Sequence, residues 1–261
     1  MARRWNKVEE NFYRDELKEL YVKQNKAIAE IGTHLHVSEK TVFDRLKHLG
    51  IPTNPKGKMG YCNRSRTVVI PHARSAKLAE FYGIMLGDGH ISRFQIVVTL
   101  GTKELSYVEY VAALMTELFE AEPTILVRKD EYRDVYFGSV ELIKYLQADG
   151  FVTNKVKEQV DIPRWIFERP EWMNSFVRGF FDTDGSVYRL RFGKQVSFSN
   201  KSLSLLISLH KILIALGYNP SAISANRIYL TRRGNLDKFF SEVKPANTKH
   251  CRRYQYFCVG T

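Results

Sequence analysis

The sequence is poor in cysteine and in long apolar stretches. Its 261 residues include three cysteines, Cys62, Cys251 and Cys258, and no two of them form a CxxC pair. An odd number of scattered thiols fits a reducing compartment. No apolar run reaches the roughly 18 residues that a membrane span needs, and no apolar stretch follows the charged N-terminus as in a secretory signal. We therefore expect an intracellular protein, cytoplasmic or organellar, that is not secreted and has no membrane partner.

Acidic residues are scarce at the C-terminal end. Residues 189–261 contain 13 Lys/Arg but only 2 Asp/Glu, a net charge of +11. Residues 1–75 have a net charge of +7 and residues 76–188 one of −6, which gives +12 for the whole chain. A soluble basic protein without a charged partner would also have a positive balance. A charge of +11 within 73 residues nevertheless favours a phosphate backbone as the partner.

The N-terminal region has the pattern of a small helical module. Apolar residues at helical spacing predict short helices within residues 15–51, with Ser38 as N-cap of the last helix and Gly50 at its end. Gly32 is the small residue expected where the helices of a helix-turn-helix touch, and His36 stands where glycine is usual in the turn. The second helix would place these outward residues in the DNA major groove: Lys40, Thr41, Asp44, Arg45 and His48. An ordinary helical hairpin that serves only packing gives the same pattern.

Residues 52–75 have the composition of a basic linker. Structure-breaking residues recur in it, namely Pro52, Pro55, Gly57 and Gly60. The segment contains no acid, and its basic residues are Lys56, Lys58, Arg64, Arg66 and Arg74. Such a segment either lies along a DNA backbone or is a solvated tether.

The remaining chain is a diverged internal repeat. Residues 76–89 resemble 172–185 and predict a helix in each half, and residues 93–100 resemble 191–198 and predict strands. Each half is predicted to run helix, two strands, helix, two strands, helix, which is an α+β fold of two pseudo-symmetric αββαββα repeats beside an all-α module. The predicted domains are a helix-turn-helix module (1–51), the linker (52–75), repeat 1 (76–170) and repeat 2 (171–261).

The predicted strands alternate between apolar and polar residues. Phe94 and Ile96 share one phase of 93–100, and Leu190, Phe192, Val196 and Phe198 share one phase of 189–198. A sheet with one packed face and one polar face follows. Arg, Gln and Ser on a polar face read bases and bind phosphates, although a sheet that merely faces solvent is the alternative. The candidate DNA-binding residues here are Arg93, Gln95, Arg128, Arg133, Arg189, Arg191, Gln195, Ser197, Arg227, Arg232 and Arg233.

Small residues recur every four positions in the first helix of each repeat. They are Ala79, Gly83 and Gly87 in one helix and Ser175, Gly179 and Thr183 in the other. Residues four apart lie on one helix face, so the two helices are predicted to pack backbone to backbone. Asp88 and Asp184 would then emerge side by side at one end of the pair. Two adjacent carboxylates repel each other unless a cation lies between them, and Mg²⁺ prefers carboxylate and phosphate oxygens.

Two simpler interpretations of these aspartates can be weighed. An EF-hand loop that starts at Asp182 would need Gly at its sixth position and Glu at its twelfth, where the chain has Val187 and Gly193. A plain turn after a helix would explain one Asp-Gly pair. It does not explain two copies at matching places of a repeat.

The segments Phe81–Gly89 (FYGIMLGDG) and Val177–Gly185 (VRGFFDTDG) resemble the two signature motifs of single-chain LAGLIDADG homing endonucleases. The resemblance covers roughly residues 76–258. Leu86 replaces the acid at the sixth motif position, whereas the second motif keeps Asp182 there. Arg178 is unusual for a helix interface and is expected to face outward.

The resemblance implies a metal-dependent DNA endonuclease that forms a saddle on double-stranded DNA with a long specific site and acts in intron homing as a monomer. Asp88 and Asp184 would bind Mg²⁺, or another divalent cation such as Mn²⁺, with help from the carbonyls of Gly87 and Thr183. Each acid would serve one strand. The family's site lysines would correspond to two residues that also match within the repeat, Lys155 and Lys249. For the first role Lys157 is a rival, and a surface lysine is the alternative for each.

Other functions on this fold are a non-cleaving DNA-binding regulator and an intron RNA maturase, for which RNA would be a partner. Regulators of this fold tend to lose the metal-binding acids, and both acids are present here. The nuclease part of an intein is a further option. The Met1-Ala2 start and the C-terminal residues lack the splicing residues of an intein, so a free-standing protein is the expectation.

Overall fold

The computed structural model describes residues 7–24, 26–53, 68–101, 103–191 and 193–259. The chain divides into two compact units, Met1–Cys62 and Asn63–Thr261. None of the described helices is long and apolar enough to cross a membrane. The predicted domain boundaries stay predictions, and much of the predicted linker, including Lys56, Lys58, Arg64 and Arg66, lies outside the described residues.

The first unit consists of short helices around a small core of its own. Its core includes Leu17, Ile31, Val42 and Leu46, and the last two are four residues apart, on one helix face. The elements are α1 (Lys7–Lys18), a π-helical turn (Glu19–Lys23), α2 (Ile28–His34) and α3 (Glu39–His48).

The turn between α2 and α3 has the predicted geometry. The Ser38 hydroxyl accepts a hydrogen bond from the backbone N–H of Thr41 and so caps α3. A Cβ added at Gly32 would lie 2.9 Å from the carbonyl oxygen of Val37, so the helices meet at a glycine. His36 has a φ of 53°, a left-handed conformation that favours glycine. The helical hairpin is confirmed, and its binding to DNA stays a prediction.

The first repeat of the second unit has the predicted order of elements. Serine side chains at Ser75 and Ser139 accept hydrogen bonds from the first turns of its first and last helices. The elements are α4 (Ala76–Leu86), β1 (Gly89–Ile91), β2 (Ile96–Leu100), α5 (Leu105–Phe119), β3 (Thr124–Val127), β4 (Arg133–Phe137) and α6 (Val140–Ala148). The strands form an antiparallel sheet in the order β1-β2-β4-β3.

The second repeat follows a short 3-10 helix (Arg164–Glu168) and is closed by an additional helix. Pro170 begins its first helix, where a missing N–H costs nothing. The elements are α7 (Pro170–Asp184), β5 (Gly185–Leu190), β6 (Gly193–Ser199), α8 (Leu203–Ala215), β7 (Arg227–Leu230), α9 (Arg233–Glu242) and α10 (Thr248–Val259). The strands form an antiparallel sheet in the order β5-β6-β7.

Among the described residues the second repeat has one strand fewer than predicted. Between α8 and β7 the chain makes only an isolated bridge from Ser224 to Arg227. Pro220 has no N–H to donate to a ladder, and Ala225 and Asn226 both have positive φ, so the chain turns directly into β7. The predicted pair of strands is therefore reduced to one strand in this half.

The chain also reverses within the segment predicted as one strand, 189–198. Leu190 pairs with Gly193 and Arg189 pairs with Lys194 across a tight hairpin. Paired residues lie on the same face of a sheet, and a shift by one residue changes the face. The prediction that Arg189 shares a face with Gln195 is therefore wrong, because Gln195 pairs with the neighbouring residue, Tyr188.

The core of the second unit includes most of the apolar residues that the alternation predicted. Val196, Phe198 and Ile96 are buried. Phe94 and Leu190 are 47% and 43% exposed instead, because Phe94 lies in the turn between β1 and β2 and Leu190, paired with Gly193, lies on the polar face of its sheet. Phe192 lies outside the described residues.

Helices α4 and α7 pack backbone to backbone at the centre of the unit, as their small residues predicted. A Cβ added at Gly83 would lie 2.7 Å from the backbone nitrogen of Phe180, and one added at Gly179 would overlap the carbonyl oxygen of Glu80. A Cβ at Gly87 would overlap the side chain of Thr183. The pairing brings the C-terminal ends of the two helices together.

Candidate active site and nucleic-acid interface

The two motif aspartates lie at the adjoining ends of α4 and α7. Asp184 is the last residue of α7, whereas α4 ends at Leu86, two residues before Asp88. A Cβ at Gly87 would lie 3.6 Å from the Cγ atom of Asp184. The carboxyl group of Asp184 is therefore next to the residue that precedes Asp88.

The electrostatics of the site reflect this crowding. Burial raises the pKa of Asp88 to about 6, and the neighbouring charge of Asp184 adds to the rise. Burial also raises the pKa of Asp184, while a hydrogen bond from Asn200 and the charge of Lys155 act in the opposite direction. Both carboxylates would gain from a cation between them.

Lys155 lies at the C-terminal end of α4. Its ammonium donates hydrogen bonds to the carbonyl oxygens of Met85 (3.2 Å), Leu86 (3.1 Å) and Gly87. Burial lowers its pKa, while the charges of Asp184 and Asp88 raise it. Lys155 thus caps α4 and carries a positive charge beside both acids. Lys157 is exposed and takes no part in these contacts.

Lys249 reaches the same site from α10. It forms an ion pair with Glu104, and the charges of both residues act on Asp88. Two lysines that match within the repeat therefore have different partners, backbone carbonyls for Lys155 and a carboxylate for Lys249.

Sequence reasoning missed two polar residues of this site. Glu104 lies in the turn before α5, and Asn200 lies in the turn before α8, where its Nδ2 donates to Oδ2 of Asp184 at 2.7 Å. Both belong to matching segments of the repeat, 102–105 and 200–203. A search for polar side chains after the second strand of each half would have found them.

Asp182 has a structural position behind the site. It is 1% exposed, and its carboxylate accepts hydrogen bonds from the backbone N–H groups of Ala246 (2.8 Å) and Asn247 (3.1 Å). Its carbonyl oxygen lies 3.4 Å from Nε2 of His250. Asp182 therefore stabilises the turn that precedes Lys249. Burial raises the pKa of Asp182 to about 7.

An ion pair joins α4 and α7 further along the helices. Arg178 was expected to face outward, but its guanidinium pairs with Glu80, which is 1% exposed. The hydroxyl of Tyr110 donates to the other carboxylate oxygen of Glu80 at 2.5 Å. The small residues of α4 and α7 form the centre of the interface, and these long side chains lie at its edge. An arginine is therefore compatible with position 178.

The polar face of the β5-β6-β7 sheet carries part of the predicted DNA-binding set. Gln195 lies opposite Tyr188, and Arg227 and Tyr229 follow on β7, on the face away from buried Ile228. Ser197 belongs to the same face but is 2% exposed, so the expected contact of this side chain with DNA is not supported. The remaining exposed members predicted for this repeat are Arg189 and Arg191 at the hairpin end and Arg232 and Arg233 after β7.

The polar face of the other sheet is less basic. Thr99 donates to Asp134 at 2.7 Å, and Arg128 lies 3.9 Å from Asp134 and 3.4 Å from Asp130. Arg133 pairs with Leu100, whose side chain points to the core, so Arg133 lies on the core-side face. Arg93 and Gln95 are exposed in the β1–β2 turn.

In the first unit the predicted recognition residues are not equally available. Lys40 is exposed, and the Thr41 hydroxyl is 2.8 Å from that of Ser38. Arg45 was predicted to point outward, but its side chain is 15% exposed and pairs with Glu10 of α1. Glu10, the partner of Arg45, precedes residues 15–51, within which the helices were predicted. The sequence pattern therefore did not indicate this ion pair.

Arg74 belongs to the basic segment that was predicted either to lie along a DNA backbone or to be a solvated tether, and its side chain contacts other residues of the protein. Its Nη2 donates to Asp149 at 2.7 Å and its Nη1 to the Tyr145 hydroxyl at 3.1 Å. The guanidinium stacks on Trp165, 4.9 Å from the ring centre. Arg74 thus anchors the start of the second unit.

The donor set at the helix ends fits a hard divalent cation. Two buried carboxylates repel each other, and Mg²⁺ takes one or two carboxylates and completes its shell with water and substrate phosphate oxygens. Among the described residues no cluster of three or more His, Cys, Asp or Glu side chains is placed to hold a metal ion. Asp88 and Asp184 are the two motif acids that could hold such an ion, with phosphate oxygens in the rest of its shell.

Comparison with known proteins identifies a LAGLIDADG-like domain at residues 171–244. This match covers the second motif and confirms the family resemblance of this segment.

Two curated relatives match only through a small part of their length. The replication factor C small subunit of Methanocaldococcus jannaschii is 30% identical over 112 residues, which are 42% of this chain and 6% of the relative. The tRNA-splicing ligase RtcB of Pyrococcus furiosus is 24% identical over 202 residues, 64% of this chain and 21% of the relative. Among solved structures, a mesophilic variant of the homing endonuclease I-DmoI has a TM-score of 0.48 at 17% identity, over 64% of this chain and 94% of that one.

Proposed function

We propose that the protein is a site-specific endonuclease that hydrolyses both strands of DNA with divalent metal at the ends of α4 and α7. The observation that carries the proposal is the side-by-side position of Asp88 and Asp184, each in a motif of an internal repeat. Two acids related by a repeat suit a substrate with two strands, because each acid can serve one scissile phosphate.

The chain's own residues would divide the work as follows. Asp88 and Asp184 would hold Mg²⁺ or Mn²⁺, which activates water and stabilises the leaving oxygen when bound. Lys155 and Lys249 would stabilise negative charge that develops on the phosphate. Asn200 orients the Asp184 carboxylate through its hydrogen bond.

DNA binding would rest mainly on the second repeat. Residues 189–261 hold 13 basic and 2 acidic residues, and Gln195, Arg227 and Tyr229 lie on one sheet face that could meet base edges and phosphates. In the first unit, Lys40 and Thr41 at the start of α3 could add contacts in a major groove. A role in homing is consistent with matches to small parts of two relatives with unrelated names, since a mobile module can occur in different hosts.

The alternative is a non-cleaving DNA-binding regulator or an intron RNA maturase on the same fold. One feature favours it: the Lys155 ammonium binds the carbonyl of Gly87, which a metal ion would otherwise use. The presence of both acids favours the endonuclease.

The test is cleavage of a plasmid library with random or host-derived inserts, with Mg²⁺ and with EDTA, by wild type and Asp184→Asn. The proposal predicts rare double-strand breaks with wild type and Mg²⁺ only. Tight binding of particular inserts without cleavage under any divalent cation would replace it with the regulator or maturase. Asp161→Asn, which changes an exposed acid outside the site, is the matched control.

A further inference from the structure

Helix α10 is an addition to the second repeat that begins at the candidate active site. Its second residue, Lys249, pairs with Glu104 beside Asp88. The helix packs against β5, and Cys258 near its end lies 2.9 Å from Nζ of Lys194, next to the β5–β6 hairpin. α10 therefore extends from the site to the far end of the sheet.

One face of α10 is basic and exposed. Lys249, Arg253 and Tyr256 are spaced i, i+4 and i+7 and share a helix face, with Arg252 beside them. Both arginines are exposed, and Tyr256 is 73% exposed. The ring of Tyr256 contacts the edge of its neighbour Phe257 at 5.8 Å between ring centres, and most of the side chain faces solvent.

Within the described part of the chain Lys249 of this face pairs with Glu104, whereas its two arginines have no counterion. No acid there pairs with Arg252 or Arg253, and the two acids of residues 189–261 are engaged elsewhere. Asp237 accepts from the hydroxyl of Tyr254, and Glu242 lies 3.9 Å from Lys238. The face is therefore available for an external polyanion.

The face is continuous with the polar face of the sheet. The pKa of Tyr188 is lowered first by a hydrogen bond with Ser186 and further by the charges of Arg227 and Arg253. Arg253 thus lies close enough to Tyr188 to act on it, and Tyr188 stands opposite Gln195. A ligand on the sheet face would reach α10 at this point.

We propose that the α10 face (Lys249, Arg252, Arg253 and Tyr256) is a binding surface for the phosphate backbone of a DNA strand that leaves the active site. The proposal rests on the proposed function. At about 1.5 Å per residue the face extends roughly 10 Å from Lys249 to Tyr256, and a strand advances about 3.4 Å per nucleotide along the duplex axis. The surface would thus follow about three nucleotides beyond the scissile phosphate.

The test measures how the affinity of the full chain for a fluorescent DNA duplex of arbitrary sequence depends on salt. Each lost phosphate contact lowers the slope of log K against log salt by roughly 0.9. Arg252→Ala/Arg253→Ala is expected to lower it by about 2 and to weaken binding in low salt. The matched control is Lys144→Ala/Lys211→Ala, which removes two exposed lysines from α6 and α8, helices that cover the core on the other side of the sheets.

The outcomes separate this proposal from the proposed function. A wild type that binds no duplex at any salt concentration would overturn both. If the wild type binds with a steep slope and Arg252→Ala/Arg253→Ala has the same slope as Lys144→Ala/Lys211→Ala, the α10 surface is overturned. The proposed endonuclease would remain. Arg252→Lys/Arg253→Lys keeps both charges and is expected to retain the wild-type slope. This result would show that the lower slope of the alanine variant comes from lost charge and not from a folding defect.

Discussion

Gly179 of α7 lies against the carbonyl oxygen of Glu80 of α4, with no room for a side-chain carbon between them. Because the Gly179 Cα atom and the Glu80 carbonyl oxygen both belong to helix backbones, neither can move unless the two helices separate. The candidate site depends on this contact, since α7 ends at Asp184 and Asp88 lies two residues beyond the end of α4.

Gly179→Ala is therefore expected to lower the free energy of unfolding by about 3 kcal/mol or more. Gly234→Ala is the matched control, because Gly234 in α9 has no atom within 4 Å of an added Cβ. The control should equal the wild type or exceed it by about 1 kcal/mol through helix propensity. Urea denaturation measures both. Equal stabilities of the two variants would show that the helices are not packed in this way.

The charge of Asp88 is expected to destabilise the metal-free protein. Its pKa is about 6 in the fold against an ordinary 3.8, so the folded state favours the protonated form and loses stability as pH rises through this interval. Relative to Asp88→Asn, the wild type should lose up to about 3 kcal/mol between pH 4 and pH 6.

Thermal melts of wild type and Asp88→Asn across this pH range, in EDTA, measure the effect. Glu109→Gln changes an exposed acid of α5 and should follow the wild type. A constant difference between wild type and Asp88→Asn at all pH values would mean that burial and the charge of Asp184 do not raise the pKa of Asp88. Added Mg²⁺ should reduce the difference at high pH.

The ion pair between Arg178 and Glu80 should be costly to break from one side. Arg178→Ala leaves a carboxylate that is 1% exposed without its cation, and such a loss costs about 3–5 kcal/mol. Replacement of both residues by leucine should restore most of this, because no buried charge remains. Denaturation of Arg178→Leu, Glu80→Leu and the double-leucine variant measures the coupling, and a double variant as unstable as the sum of these two single variants would contradict the pairing.

Lys155 and Lys157 provide a direct comparison at the site. Lys155→Ala should lower the cleavage rate by about 10² or more, the range for loss of one group that stabilises transition-state charge. Lys157→Ala should leave the rate unchanged, because Lys157 does not touch the helix end. The rates are measured on a target recovered from the plasmid library. Equal losses for the two variants would remove the special role of Lys155.

The sequence contained enough information for the centre of the fold and less for its edges. The small-residue ridges with Gly83 and Gly179 are local patterns, and they predicted the helix pair. The salt bridge between Arg178 and Glu80 joins residues 98 positions apart and depends on the final packing, which no local pattern records. The same holds for Arg45, because its partner Glu10 lies on another helix.

Strand phase was predictable only where the turn was recognised. Val196 and Phe198 were placed in the core correctly, whereas Arg189 was placed on the wrong face because a two-residue hairpin was not recognised within the pattern. Glu104 and Asn200 were visible in the repeat alignment, but single polar residues in turns resemble ordinary surface residues until the fold places them beside Asp88 and Asp184.

The most direct test of the central claim compares wild type with Asp88→Asn, Asp184→Asn and the double variant on one supercoiled plasmid that carries a recovered target. Duplex binding and strand breaks are measured in the same samples with Mg²⁺. The account predicts that all four proteins bind the plasmid, that wild type produces linear DNA and that the double variant leaves the plasmid intact. Linear DNA from the double variant at the wild-type rate would contradict a metal site formed by the two aspartates.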